Sequence, residues 1–218
     1  MYEISKLFLV FALHRSGSSA VAGVLYHMGI PMGDRLLGPN PTNPKGHFEN
    51  LDFVALNDKI LGSVGAAWDR PLSRDRIMAS KLPENEVYSI LLKQSKPVYG
   101  LKDPRMVITF DYLKPFLEVL NNITYVFVWR PLDESIRSLA HRSNSDYATA
   151  QTILGPYNAN LNVHREQLEK ENKDIVDIRF ADLLENPEDF VKKINLRLNY
   201  DINYDKINEF LDKDLKHF

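Results

Sequence analysis

Lys6–Leu13 reads KLFLVFAL, with one charge at its start and no polar residue after it. A run this apolar is a strand covered on both faces of its sheet, because a half-exposed strand would alternate. His14, Arg15, Ser16, Gly17, Ser18 and Ser19 follow at once. From Gly17 to Met28 apolar residues recur at helical spacing, with Val21, Val24, Leu25 and Met28 on one side. Gly29 stands where a helix C-terminus favours glycine. A doubly covered strand turning tightly into a helix predicts an α/β chain with a mostly parallel sheet. A plain turn needs only Gly, Asn or Pro. Placing a cation, three hydroxyls and a flexible backbone there suits a bound anion instead.

The rest of the chain repeats the alternation. "PVYGLK" (Pro97–Lys102), "ITYVFVW" (Ile123–Trp129) and "DIVDIRF" (Asp174–Phe180) read as strands. Helices are expected over Leu51–Leu61, Glu84–Gln94, Ala148–Glu171 and Pro187–Leu198. Two more follow Lys102 and Arg130. The first has Asp103 as N-cap and Pro104 at its first position; the second is opened by Pro131, with Asp133 and Glu134 in its first turn. "IPMGDRLLGPNPTNPKGHF" is too rich in Pro and Gly, and too long, for a routine connection. "GAAWDRPLSRDRIMASKLPEN" is expected to be irregular. No repeat or linker divides the chain, so one domain over residues 1–218 is expected.

Composition removes several function classes. The formal net charge of -2 leaves no general polyanion binder, and no aromatic-basic interleaving suggests a nucleic-acid surface. With no cysteine, disulfides, thiolate metal sites and a cysteine nucleophile are excluded. The first apolar stretch is too short for a membrane span and has no small-residue cleavage site, which suits a cytoplasmic protein.

Three strands end on, or just before, a cation: Arg15, Lys102 and Arg130. A helix start follows each, and its unpaired amides also attract anions. Ligands of open parallel sheets bind beyond the carboxyl ends of the strands. If these strands are neighbours, three cations converge on a ligand with more than one negative group. The P-loop pattern G-x-x-x-x-G-K-[ST] is absent, as are the hydrolase elbow G-x-S-x-G and the dinucleotide-binding G-x-G-x-x-G.

Four segments, in order and spacing, resemble the sulfotransferases that use 3′-phosphoadenosine 5′-phosphosulfate (PAPS), especially prokaryotic-type members. "HRSGSS" is similar to the loop that holds the 5′-phosphosulfate. "GLKDPR" is similar to an internal lysine-bearing motif. "VFVWRPLDESIRSL" is similar to the 3′-phosphate motif, an arginine closing a strand with a serine eight residues later. "IRFADLLENPEDFVKKI" resembles a C-terminal segment of the family. Ser18 departs mildly from the more usual threonine and keeps the hydroxyl. The resemblance implies a three-layer, P-loop NTPase-like sandwich. It implies that Ser16, Gly17, Ser18 and Ser19 present amides and hydroxyls to the 5′-phosphate. Arg15 and Lys102 would flank the sulfuryl group, and Arg130 with Ser138 would hold the 3′-phosphate. The product would be adenosine 3′,5′-bisphosphate, and no metal is required.

Transfer to a hydroxyl needs a base. Glu49 and His47, in "PKGHFENLDF", are the leading candidates, with His14 and His141 behind them. The acceptor is open: carbohydrate, lipid headgroup or another small molecule. "GAAWDRPLSRDR" and "PMGDRLLGPNP" are the candidate walls of its pocket, with Trp68 a candidate to stack on a ring, while Arg70, Arg74 and Arg76 suggest either a polar or anionic acceptor or only a solvated loop. A P-loop-like kinase using ATP, or a binding relative without chemistry, remains the alternative.

Overall fold

Alternate residues of the first strand point into two separate cores. Leu7, Leu9, Phe11 and Leu13 join one, and Phe8, Val10 and Ala12 join the other. Both sets are fully buried, which is why the run carries no polar residue. The computed structural model describes residues 4–41, 43–198 and 205–211.

In chain order the elements are β1 (Ser5–Ala12), α1 (Ser18–His27), α2 (Leu51–Ser63), α3 (Arg74–Met78), α4 (Glu84–Gln94), β2 (Val98–Lys102) and α5 (Met106–Leu120). Then come β3 (Asn121–Trp129), α6 (Leu132–Ser143), α7 (Tyr147–Lys170), β4 (Asp174–Arg179), α8 (Phe180–Glu185), α9 (Pro187–Leu198) and α10 (Asp205–Phe210). The four strands form one parallel sheet in the order β2-β1-β3-β4. Apolar residues of α2, α4, α5 and α7 pack on one face, those of α1, α8, α9 and α10 on the other. This is the three-layer α/β/α arrangement expected from the sequence.

Three local expectations are corrected. Asp103 does not cap α5, which begins at Met106. Its Oδ1 accepts the Arg105 backbone N–H at 3.0 Å, closing a tight turn first. Pro131 precedes α6 rather than opening it. The stretch after Gly65 holds one short helix, α3, fixed by buried Ile77.

The Pro/Gly-rich segment between α1 and α2 folds back on itself. Leu37 N–H donates to Glu49 O at 2.7 Å, and Leu51 N–H donates to Arg35 O at 2.9 Å. Asn50 then caps α2, its side chain accepting from the amides of Asp52 and Phe53. A fixed cap one residue on and a backbone bond at Glu49 itself set where that carboxylate enters the fold.

Candidate active site

Register brings the strand-end cations together. Val10 of β1 pairs with Lys102, and Ala12 pairs with Val128. Arg15, Lys102 and Arg130 therefore emerge from three adjacent parallel strands, at their carboxyl edge. All three line one open cleft of ≈ 730 Å³, with Gly17, Ser18, Ser19, His47 and Glu49.

The loop after β1 is tightly shaped. Arg15 and Gly17 both have left-handed backbone, φ 65 and φ 88. A Cβ at Gly17 would lie 2.1 Å from Cδ2 of Phe180, so no other residue fits there. Ser18 and Ser19 begin α1, where N–H groups have no acceptor in a preceding turn. Ser16 differs from the expectation. Its hydroxyl donates to Leu13 O at 2.8 Å and braces the loop instead of facing the cleft.

Ser138 is bonded to the loop after β1. Arg15 Nε donates to Ser138 Oγ at 3.0 Å. Arg130 instead donates through Nε to Glu134 Oε2 and through Nη1 to Arg15 O, both at 2.9 Å. The reason is helical spacing: Glu134 lies one turn into the chain from Arg130, and Ser138 two. The Arg130 guanidinium also lies over the Phe180 ring, 5.5 Å from its centroid.

Lys102 is 1% exposed, and its Nζ donates to Glu49 Oε1 at 2.7 Å and to Ser19 Oγ at 3.3 Å. Asn43 Nδ2 donates to the same Ser19 oxygen at 3.0 Å. Burial alone would raise the Glu49 carboxyl. The Lys102 ammonium that donates to it, with a smaller contribution from Arg105, holds it below its ordinary value. Glu49 is thus ionised at neutral pH. Arg105 pairs with Asp58 at 2.8 Å and Asp103 at 3.1 Å, and approaches Glu49 at 4.0 Å.

His47 is kept neutral chiefly by burial, and its Nε2 meets Asn40 Nδ2 at 2.9 Å. Burial, reinforced by Arg105 and Arg142, holds His14 well below its ordinary value. The His14 ring packs against Trp68 and Tyr157, each at 5.1 Å, and its Nε2 is buried without a partner. Those contacts make it a wall of the site. His141 is exposed in the last turn of α6 and lines none of the clefts.

Two further clefts adjoin the first. One, of ≈ 900 Å³, shares Arg130 and Phe180 with it and runs past Trp129, Glu134 and Arg179. The other shares His14, His47, Glu49 and Arg142, and adds Trp68 and Arg105. Arg70, Arg74 and Arg76 line none of them. Arg70 is 78% exposed and Arg74 is paired with Asp111. Among the described residues, no group of three His, Asp or Glu is placed to hold a metal ion. No described helix is long and apolar enough to cross a membrane.

No protein-family model and no curated protein matches the chain. Solved structures do. The sulfotransferase domain from the Synechococcus PCC 7002 olefin synthase is similar at a TM-score of 0.58 and 16% identity, over 100% of this chain and 85% of that one. The sulfotransferase domain from the curacin biosynthetic pathway is similar at 0.55 and 16%, over 98% and 80%. The fold is that of a sulfotransferase domain.

Within this sulfotransferase fold, Asn43 and Arg142 are cleft residues that sequence reasoning did not single out. Asn43 comes from an irregular segment and left no pattern to read. Arg142 did leave one: it is four residues after Ser138, on the same face of α6.

Proposed function

We propose that the chain, as one domain over 1–218, transfers a sulfuryl group from PAPS to a hydroxyl of a small molecule or glycan. The observation that carries this is the meeting of Arg15, Lys102 and Arg130 in a cleft that continues past Arg130 and Phe180 into a second one. A ligand with two separated anionic groups on a flat body suits that shape. The donor set fits it too. Cations, helix-start amides and a hydroxyl surround the loop; Glu49, the carboxylate of the first cleft, is paired with Lys102, and Glu134 of the second is paired with Arg130.

The donor supplies a sulfuryl group carried on a phosphate leaving group. Arg130, beside Phe180, holds the 3′-phosphate. Ser138 serves that motif through Arg15, to which it is bonded. The amides and hydroxyls of Ser18 and Ser19 hold the 5′-phosphate, at the loop that Gly17 and Ser16 keep tight. Arg15 and Lys102 flank the reacting end, where developing negative charge is stabilised. Glu49 accepts the proton of the acceptor hydroxyl, the role that an ionised carboxylate beside the acceptor cleft suits. His47, neutral and two residues away, is second in line. A cytoplasmic location belongs to the same reading, since a chain without cysteine needs no oxidising compartment.

Incubation with sulfur-labelled PAPS and a pooled acceptor library tests the reaction. Label transferred by the wild type and lost in Lys102→Ala supports it. Magnesium-dependent phosphoryl transfer from ATP would replace it with a kinase.

A further inference from the structure

The third cleft shares with the first a cation, Arg142, to which no group of the donor has been assigned. Arg142 lies in the last turn of α6, where the helix dipole ordinarily explains a basic residue. Here the guanidinium is half-buried over the Trp68 ring, 5.5 Å from its centroid. Trp68 lines the cleft containing Arg105 and not the one containing Ser18 and Ser19. Arg142 lines both clefts, and that contact lays its guanidinium against a wall of the third. Arg105, its basic neighbour, is occupied by Asp58, Asp103 and Glu49. Glu49 is occupied by Lys102, and no carboxylate lies within ion-pair distance of Arg142 among the described residues. Burial lowers its pKa, Glu49 offsets this in part, and Arg105 adds to it. A half-buried cation crowded by other cations and held on an aromatic face is a ready site for an anion.

We propose that the acceptor carries an anionic group, a carboxylate or a phosphate monoester, as well as the reacting hydroxyl, and that Arg142 on Trp68 binds that group. The proposal rests on the sulfotransferase reading and names its substrate class. The geometry gives the division of labour: Glu49 and His47 face the hydroxyl where the two clefts meet, and Arg142 anchors the other end. The cations that the sequence suggested for this task, Arg70, Arg74 and Arg76, take no part.

The test uses the full chain saturated with adenosine 3′,5′-bisphosphate and matched probes, read by calorimetry. One series is hydroxyphenylacetate, hydroxyphenyl phosphate, cresol and tyramine. A second is hydroxyhexanoate, hexanediol and aminohexanol. A third is methyl glucuronide against methyl glucoside. In at least one series an anionic member binds about tenfold or more tighter than its neutral and cationic partners. Arg142→Gln removes that preference and leaves bisphosphate affinity within about twofold, while Arg142→Lys keeps part of the preference. The carboxylate and phosphate arms identify which anion is meant. Bisphosphate binding without any anionic preference overturns this proposal alone. So does a preference that survives Arg142→Gln, or a loss of bisphosphate affinity in its place. Failure of the wild type to bind bisphosphate overturns the sulfotransferase reading and this proposal with it.

Discussion

Arg15 and Ser138, 123 residues apart, are joined by a hydrogen bond of 3.0 Å from Nε to Oγ. It links the loop after β1 to the second turn of α6, so the two segments proposed to hold the donor's phosphates are tied together. Ser138 is 1% exposed, and water cannot replace its hydroxyl cheaply. Ser138→Ala should weaken adenosine 3′,5′-bisphosphate binding about tenfold, near 1.4 kcal/mol, because Arg15 loses its orientation. Calorimetry on a variant with an unchanged thermal midpoint measures this. Unaltered affinity would show that the bond does not organise the site.

The buried pair Lys102 and Glu49 separates stability from catalysis. Removing one partner of such a pair leaves the other charge buried, at about 3–5 kcal/mol. Lys102→Met should fall in that range in urea unfolding. Glu49→Gln should cost less, since an amide oxygen still accepts from Nζ at the 2.7 Å position. The double variant should lose less than the sum of the singles. In the transfer assay Glu49→Gln should keep PAPS affinity and lose about a hundredfold or more in turnover. Near-normal turnover would move the base to His47.

Gly17 is constrained twice. Its φ of 88 disfavours any side chain, and the Phe180 ring occupies the space a Cβ would need. Gly17→Ala should destabilise the protein and abolish bisphosphate binding. Adding Phe180→Ala relieves the clash but not the backbone strain, about 1–2 kcal/mol, so binding should return only in part. Full recovery in the double variant would show that the left-handed backbone at 17 does not matter.

Asp103 gives a pH dependence of stability. Burial, reinforced by the nearby Glu49 carboxylate and opposed by Arg105, pushes its carboxyl from 3.8 up to about 6. The folded protein therefore holds a proton that the unfolded chain has released. This contribution is complete below pH 3.8 and lost as pH rises through about 6. Unfolding free energies of wild type minus Asp103→Asn should fall across that window. A flat difference would mean that Asp103 is ionised throughout.

The strands were legible because burial on both faces leaves a continuous apolar run, as in Phe8–Val10 and Tyr125–Val128. Arg15, Lys102 and Arg130 were legible because a strand end followed by a helix start is a recognisable place for an anion. What the sequence hid depended on contacts between distant segments. Ser138 lies eight residues from Arg130 but is taken by Arg15 from the neighbouring strand. Ser16 resembles its serine neighbours in sequence, yet its hydroxyl turns inward to Leu13. Helix α3 has five residues and one buried side chain, too few for a period to register. Arg142 and Trp68 meet across 74 residues of irregular chain and helix, and no local pattern announces it.

The central claim is that cations from three adjacent strands surround an adenosine carrying phosphate at both its 3′ and 5′ positions. Calorimetry with adenosine 3′,5′-bisphosphate against 5′-AMP and ATP tests it most directly. The bisphosphate should bind at least about tenfold tighter than either, near 1.4 kcal/mol, and Arg130→Ala should erase the difference. Equal or tighter binding of 5′-AMP or ATP, or a preference untouched by Arg130→Ala, would contradict it.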